Sequence, residues 1–385
     1  MSTTKTSAAG GRITDYIPRT EKLPTRVDQI TRDWLNRTLQ QRYPDLVVEQ
    51  MRVVEVISSH TTKLRLELEF NAAGQLCGIP KQVCLKANLS GDPLSSDACK
   101  VEAQFYRHIR DDIGVPAPVC YFADWDEGDA VKGEHPQGLV ILEDLIVEGG
   151  TFGHSTRPIS IEGARKALDG FAALHAGLWD KLQNNNWINV AMSEGAPDSD
   201  LFNHLSKYMY LNLESPEFRA LLPQWLLDDP EHLGRAFKLL VAHERRETMP
   251  RCLIHGDSHL GNSYFRPDGT RIFIDFQLIT AGHPWRDLTY FLVGSLTVED
   301  RRKAERELLQ HYLDRLEVHG AGGRLSFEKL WDEYRVWPMW GMVAWITNLD
   351  KWGQTTMPSV ERFYTAAADH DTLKRLEAEQ AAVAK

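Results

Sequence analysis

Three oxygen-bearing side chains, Asp257, Asn262 and Asp275, stand at short intervals in one β-rich stretch of this 385-residue chain. The stretch reads Arg251-Cys252-Leu253-Ile254-His255-Gly256-Asp257-Ser258-His259-Leu260-Gly261-Asn262-Ser263-Tyr264-Phe265, then Arg266-Pro267-Asp268-Gly269-Thr270, then Arg271-Ile272-Phe273-Ile274-Asp275-Phe276. Two short apolar runs flank a Pro-Asp-Gly turn, so a hairpin is expected with the three polar residues at its edges. Phosphoryl transfer asks a protein for little covalent help. It needs positioning, metal ions against phosphate oxygens and an acceptor for the hydroxyl proton. Mg²⁺ prefers oxygen ligands and binds through one or two carboxylates plus substrate phosphates. Asn262 and Asp275 offer such oxygens, and Asp257, which opens the loop, is the candidate to orient a hydroxyl and accept its proton. His255, two residues earlier, is expected to fix the loop through hydrogen bonds, and His259 either touches substrate or phosphate or is simply solvated.

The surrounding pattern shows what positions this stretch. Apolar residues at Val27, Ile30, Trp34, Leu35 and Leu39 predict a helix over 27–39, with Asp28 or Thr31 able to cap it. Residues 47–57 are dense in Val and Ile, and Leu64, Leu66, Leu68 and Phe70 alternate with Arg65, Glu67 and Glu69. With the polar turn Ser58-Ser59-His60-Thr61-Thr62 between them, these read as an antiparallel hairpin, joined by a third strand over 82–87. A helix over 97–110 and strands over 119–125 and 138–142 complete an α+β half. Beyond Glu143 helical periodicity dominates, over 161–182, 201–211, 231–247, 286–296 and 297–319. Thr297 with Asp300 gives a start signal, Gly320 a stop, and 366–385 reads as a helix or frayed end.

The motif His255-Gly256-Asp257, with Asn262 and Ile274-Asp275, resembles the catalytic and metal-binding motifs of the aminoglycoside phosphotransferase and choline kinase superfamily. Asp33-Trp34-Leu35 and Phe105-Tyr106 make the resemblance closest to its ecdysteroid-kinase-like (CHK-kinase-like) branch, with motifs in order from Ser58 to Asp287. The resemblance implies an α+β, bilobal protein-kinase-like fold: an N-terminal antiparallel sheet lobe with one key helix, and a larger helical C-terminal lobe. It implies ATP and Mg²⁺ as cofactors, with Asn262 and Asp275 as metal ligands. Lys86, in Val83-Cys84-Leu85-Lys86, takes the position of the lysine that holds ATP phosphates, and Glu102 that of the helix glutamate that pairs with it. Leu142-Glu143-Asp144-Leu145 matches the hinge that receives adenine, and Asp287 the aspartate that supports the catalytic loop. The sequence departs from the pattern at one point. No glycine-rich phosphate cover precedes Lys86, so Ser59 and Thr61 of the turn are the expected phosphate contacts. The aromatic run Trp331, Tyr334, Trp337, Trp340, Trp345 and Trp352 has near-helical spacing typical of core, but the corresponding region in the family helps line the acceptor pocket.

Composition narrows the remaining classes. A net charge of −10 opposes a protein built to hold nucleic acid, which needs a basic face. No stretch is long and apolar enough to suggest a membrane span. Five scattered cysteines with no CxxC pair suggest reduced thiols and a cytoplasmic location. The expected organisation is a flexible tail over 1–26, a nucleotide-binding lobe over 27–145, and over 146–385 a helical lobe with catalytic loop and acceptor pocket. The expected activity is ATP- and Mg²⁺-dependent transfer of a phosphoryl group to a hydroxyl of a small molecule, with an apolar hydroxylated metabolite preferred. The alternatives are a nucleotide-binding pseudokinase or regulatory module, and a protein kinase, which the long helix-rich insert over 143–250 disfavours. Oligomeric state is open.

Overall fold

The computed structural model describes residues 19, 21–193 and 207–383. Most of the tail expected over 1–26, the first part of the helix expected over 201–211 and the last two residues of the chain lie outside the described residues. The chain divides into two compact units, one comprising Met1–Asp112, Ala117–Thr151 and Ile274–Gln277, the other Ile113–Pro116, Phe152–Phe273 and Leu278–Lys385.

The first unit is built on a five-stranded antiparallel sheet in the order β1-β2-β3-β5-β4. The strands are β1 (Val48–Ser58), β2 (Thr62–Phe70), β3 (Gln82–Ala87), β4 (Cys120–Asp126) and β5 (Gln137–Glu143). The alternation in β2 sets its register, because Leu64, Leu66 and Leu68 are completely buried and a slip by one residue would turn all three to the opposite face. Leu64 therefore faces Leu85 across the ladder, and the polar set brings Lys63 opposite Lys86 and Arg65 opposite Cys84. The helix Pro93–His108 lies against β5 at Gly138, where a Cβ would come within 2.0 Å of the Cys99 carbonyl oxygen. Its apolar stripe, Val101 and Phe105, is buried. The helix expected from residue 27 instead begins at Arg32. Thr31 is extended and its hydroxyl accepts from the Trp34 amide, so Val27–Gln29 is a separate short turn.

The second unit is mainly helical. Its centre is the helix Pro284–Ser295, every residue of which is buried. Around it stand Ile161–Gly177, Pro230–Arg246 and Val298–Val318, the last capped by Thr297 through the Asp300 amide at 3.1 Å. Most of the aromatic run lies in Phe327–Tyr334 and Pro338–Thr347, with Trp337 between them and Trp352 exposed at the end of the short helix Leu349–Trp352, and Met357–Asp369 follows. Short strands interrupt the helices: Cys252–Ile254 pairs with Thr280–Gly282, and Ser263–Phe265 forms a hairpin with Arg271–Phe273. Asn262 directly precedes one hairpin strand, and Asp275 follows the other by two residues.

Candidate active site

In the first unit, Lys86 projects from β3 with only 5% of its side chain exposed. Its Nζ lies 2.7 Å from Glu102 Oε2 and 2.9 Å from Asp275 Oδ1. Burial opposes the ammonium charge, but the Asp275 and Glu102 carboxylates outweigh it and raise the Lys86 pKa above its ordinary value. Glu102 sits on Pro93–His108, and its other oxygen accepts the Phe276 backbone N–H at 3.2 Å. The Phe276 ring stacks on Phe105 with centroids 3.9 Å apart and planes 14° apart, and Gln277 donates to Cys99 Sγ. These contacts explain why Ile274–Gln277 packs with the first unit. Asp275 itself has φ +68°, a left-handed conformation that costs an ordinary residue about 1–3 kcal/mol and clusters at functional sites.

The same sheet places the other residues expected at the nucleotide. Ser59 and Thr61 form the turn between β1 and β2, where the Ser59 amide donates to the Thr61 carbonyl at 3.1 Å. Lys63 donates to Ser59 Oγ at 3.2 Å and approaches Thr61 Oγ1 at 3.5 Å. At the end of β5, Glu143 accepts from the Val119 amide at 3.0 Å. Asp144 accepts from the Ile146 amide, which starts the turn Leu145–Glu148, and binds Arg65 Nε at 2.8 Å.

In the second unit the loop after Cys252–Ile254 is held by one carboxylate. Asp287 is completely buried and accepts from the amides of His255 at 2.6 Å and Gly256 at 3.0 Å. Its Oδ2 also lies 3.3 Å from His175 Nε2, and the Tyr312 hydroxyl sits 2.9 Å from the other nitrogen of that ring. Burial pushes the Asp287 pKa up, but the His175 bond and the His255 amide hold it below the usual carboxylate range. Gly256 has φ +80°, and a Cβ there would come within 2.0 Å of the Leu278 carbonyl oxygen, so only glycine fits the turn. His255 is buried, its ring tilted against Phe273 at 6.0 Å. Asp257, one-third exposed, leaves this anchored turn. Asn262 donates its amide nitrogen to both the carbonyl and Oδ2 of Asp257, at 2.8 and 2.9 Å. His259 accepts from the Gly261 amide at 3.0 Å, and its Nε2 lies 3.6 Å from Asp257 Oδ2. The His259 ring meets the edges of Tyr290 and Trp345 at 6.2 and 5.5 Å. The other indoles do different work: Trp337 and Trp340 are buried, and Trp331 stacks on Tyr334.

A family model described as ecdysteroid kinase-like matches residues 97–321, more than half of the chain. The chain belongs to the ecdysteroid kinase-like family. An uncharacterised kinase-like protein of Caenorhabditis elegans is 25% identical over 156 residues, which are 38% of this chain and 42% of that protein, so the match spans under half of the relative's length. Among solved structures, a candidate aminoglycoside phosphotransferase from Ralstonia eutropha superposes with a TM-score of 0.51 at 12% identity, covering 90% of this chain and 97% of the other. That likeness concerns the fold, and it agrees with the α+β kinase-like class expected from the sequence. The choline kinase LicA from Streptococcus pneumoniae is similar at a TM-score of 0.46 and 15% identity, over 84% of this chain and 94% of the other.

In this ecdysteroid kinase-like chain the structure brings Lys86, Glu102 and Asp275 together in one unit, and Asp257, Asn262 and His259 together in the other. Sequence reasoning singled out neither Lys63 nor Tyr290 nor the His175 contact of Asp287. For Lys63 a signal existed: it shares the polar set of β2 with Arg65. For His175 none did, since the contact spans 112 residues of chain. Among the described residues no helix is long and apolar enough to cross a membrane.

Proposed function

We propose that the chain transfers the γ-phosphoryl group of ATP, taken as its Mg²⁺ complex, to a hydroxyl of a small molecule, an apolar hydroxylated metabolite. The observation that carries this reading is the buried Lys86 ammonium held between Glu102 and Asp275, with Asp275 in a strained left-handed conformation. The donor set fits the cofactor: a carboxylate (Asp275) and an amide oxygen (Asn262) are hard oxygen ligands, and an ammonium suits phosphate. When bound, Mg·ATP supplies the phosphoryl group and a metal charge against its oxygens.

The chain's own residues then divide the work. Lys86 binds phosphate oxygens and Glu102 orients it. Asn262 and Asp275 hold the metal, and Ser59 and Thr61 present hydroxyls to the phosphates. The backbone around Glu143, Asp144 and Leu145 receives the adenine. Asp257 orients the acceptor hydroxyl and takes its proton on a carboxylate oxygen, a task its partial exposure and its bond from Asn262 support. His255 holds the turn before it. Tyr290 and Trp345, beside His259, favour an acceptor with an apolar ring-shaped body.

The test is incubation of the chain with Mg·ATP and a panel of hydroxylated metabolites, with mass spectrometry of the products. A phosphorylated small molecule is expected. Nucleotide binding without ADP formation across the panel would replace this reading with that of a nucleotide-binding regulatory module.

A further inference from the structure

The β2–β3 ladder sets two lysines directly opposite each other, Lys63 and Lys86. Like charges facing across a ladder are destabilising, so the pairing calls for a reason. Lys86 is balanced by Glu102 and Asp275. Lys63 is not balanced in this way: its hydrogen bonds go to the neutral hydroxyls of Ser59 and Thr61, and no carboxylate among the described residues pairs with it. Arg65, two residues along on the same face, makes the contrast. It holds both Glu55 at 3.0 Å and Asp144 at 2.8 Å. A lysine that merely solvated the sheet would extend into water, whereas Lys63 is half-buried with its ammonium turned back onto the Ser59–Thr61 turn. Burial, with the Lys86 charge behind it, lowers the Lys63 pKa, and the more distant Asp275 and Glu102 carboxylates only partly offset this.

We propose that Lys63 is a second phosphate-binding cation, which together with Ser59 and Thr61 takes the place of the missing glycine-rich cover over a nucleotide's phosphates. The inference rests on the nucleotide-binding reading above. A glycine-rich cover lets backbone N–H groups approach phosphate. Here an ammonium with three donors, two engaged with hydroxyls of the turn, supplies the contact from a side chain. The ligand class is a nucleoside di- or triphosphate, and the contribution of Lys63 is confined to the phosphates.

The test is calorimetric titration of wild type, K63M, K63R and K86M with adenosine, ADP and a non-hydrolysable ATP analogue in Mg²⁺. K63M is expected to bind adenosine as wild type does and to bind the triphosphate about ten- to a hundredfold more weakly, with K63R recovering part of the loss. Without nucleotide, the melting temperature of K63M is expected to equal or exceed that of wild type, because a cross-strand repulsion has gone. A K63M that keeps the wild-type ratio of triphosphate to adenosine affinity, while K86M loses it, overturns the inference and leaves the nucleotide site standing. An equal fall for adenosine and triphosphate also overturns it, since that is the signature of a distorted sheet. A wild-type chain that does not prefer the triphosphate over adenosine overturns the nucleotide-binding reading itself, and this inference with it.

Discussion

Two buried carboxylate systems, one in each unit, are built on opposite principles. In the first unit Glu102 and Asp275 face a cation, Lys86, so charge balances charge. In the second unit Asp287 faces mostly backbone: two N–H groups of the turn His255-Gly256, with His175 completing the set. An ion pair can exchange partners when a phosphate or metal arrives, because each member accepts another opposite charge. A carboxylate saturated by amides cannot leave without orphaning them. The first arrangement therefore suits a ligand site and the second suits a scaffold, with Asp257 displayed from the scaffold.

The largest effect should come from the residue the scaffold displays. Asp257→Asn keeps the size and most bonds of the side chain but removes its basicity. Turnover should fall by about 10²–10⁴-fold, while the affinity for Mg·ATP and the melting temperature stay near wild type. Unchanged turnover would remove Asp257 from the chemistry and leave Asp287 supporting nothing catalytic.

Asp287→Ala should unfold rather than merely inactivate. It leaves the amides of His255 and Gly256 without their acceptor in a fully buried site, a loss of about 3–5 kcal/mol for breaking a buried charged network. Denaturant melts would measure it. A variant of wild-type stability would mean the turn is held by other means, and the contrast between the units would collapse.

Asp275→Ala tests the exchangeable side. Loss of the carboxylate proposed to hold the metal should weaken Mg·ATP binding by roughly ten- to a hundredfold, read by calorimetry with and without Mg²⁺, and adenosine binding should persist. The folded state should suffer less than in Asp287→Ala, because Lys86 retains Glu102. Normal Mg·ATP binding by this variant would contradict the metal assignment.

How far the sequence reveals each half follows from the range of the interactions. The β2 strand is legible because alternation is local: Leu64, Leu66 and Leu68 announce one buried face. The polar residues Asp257, Asn262 and Asp275 are legible as candidates because they stand close in sequence to the strands of one short hairpin. The helix Pro338–Thr347 shows only through the near-helical spacing of its tryptophans, since Met339, Trp340, Met342 and Val343 are all buried and an all-round apolar segment has little amphipathic signal to fix its bounds. Lys63 becomes visible only when the β2–β3 register sets it opposite Lys86. Nor does any local pattern show that Ile274–Gln277 packs with the first unit while the strand Arg271–Phe273 belongs to the second, because the contacts of Phe276 with Glu102 and Phe105 are long-range.

A third charged cluster sharpens the comparison, because in it the second unit uses the first unit's principle. His243 lies between Glu333 at 2.6 Å and Glu379 at 2.8 Å, and Lys329 bridges Glu247 and Glu333 at 2.6 and 2.7 Å. His243, Glu247 and Glu333 are close enough to hold a metal ion, but the Lys329 ammonium already satisfies both carboxylates. Burial disfavours the imidazolium, and the two glutamates on His243 outweigh it, raising its pKa to about 9. A pKa raised above the unfolded value near 6.5 contributes stability that is whole below about pH 6.5 and is lost as pH climbs toward 9. Between pH 7 and pH 9 the loss should be about 2 kcal/mol, visible as a falling melting temperature. In His243→Gln that part of the slope should vanish. A wild-type slope in the variant would place the titration elsewhere and leave charge-to-charge balancing to the Lys86 site.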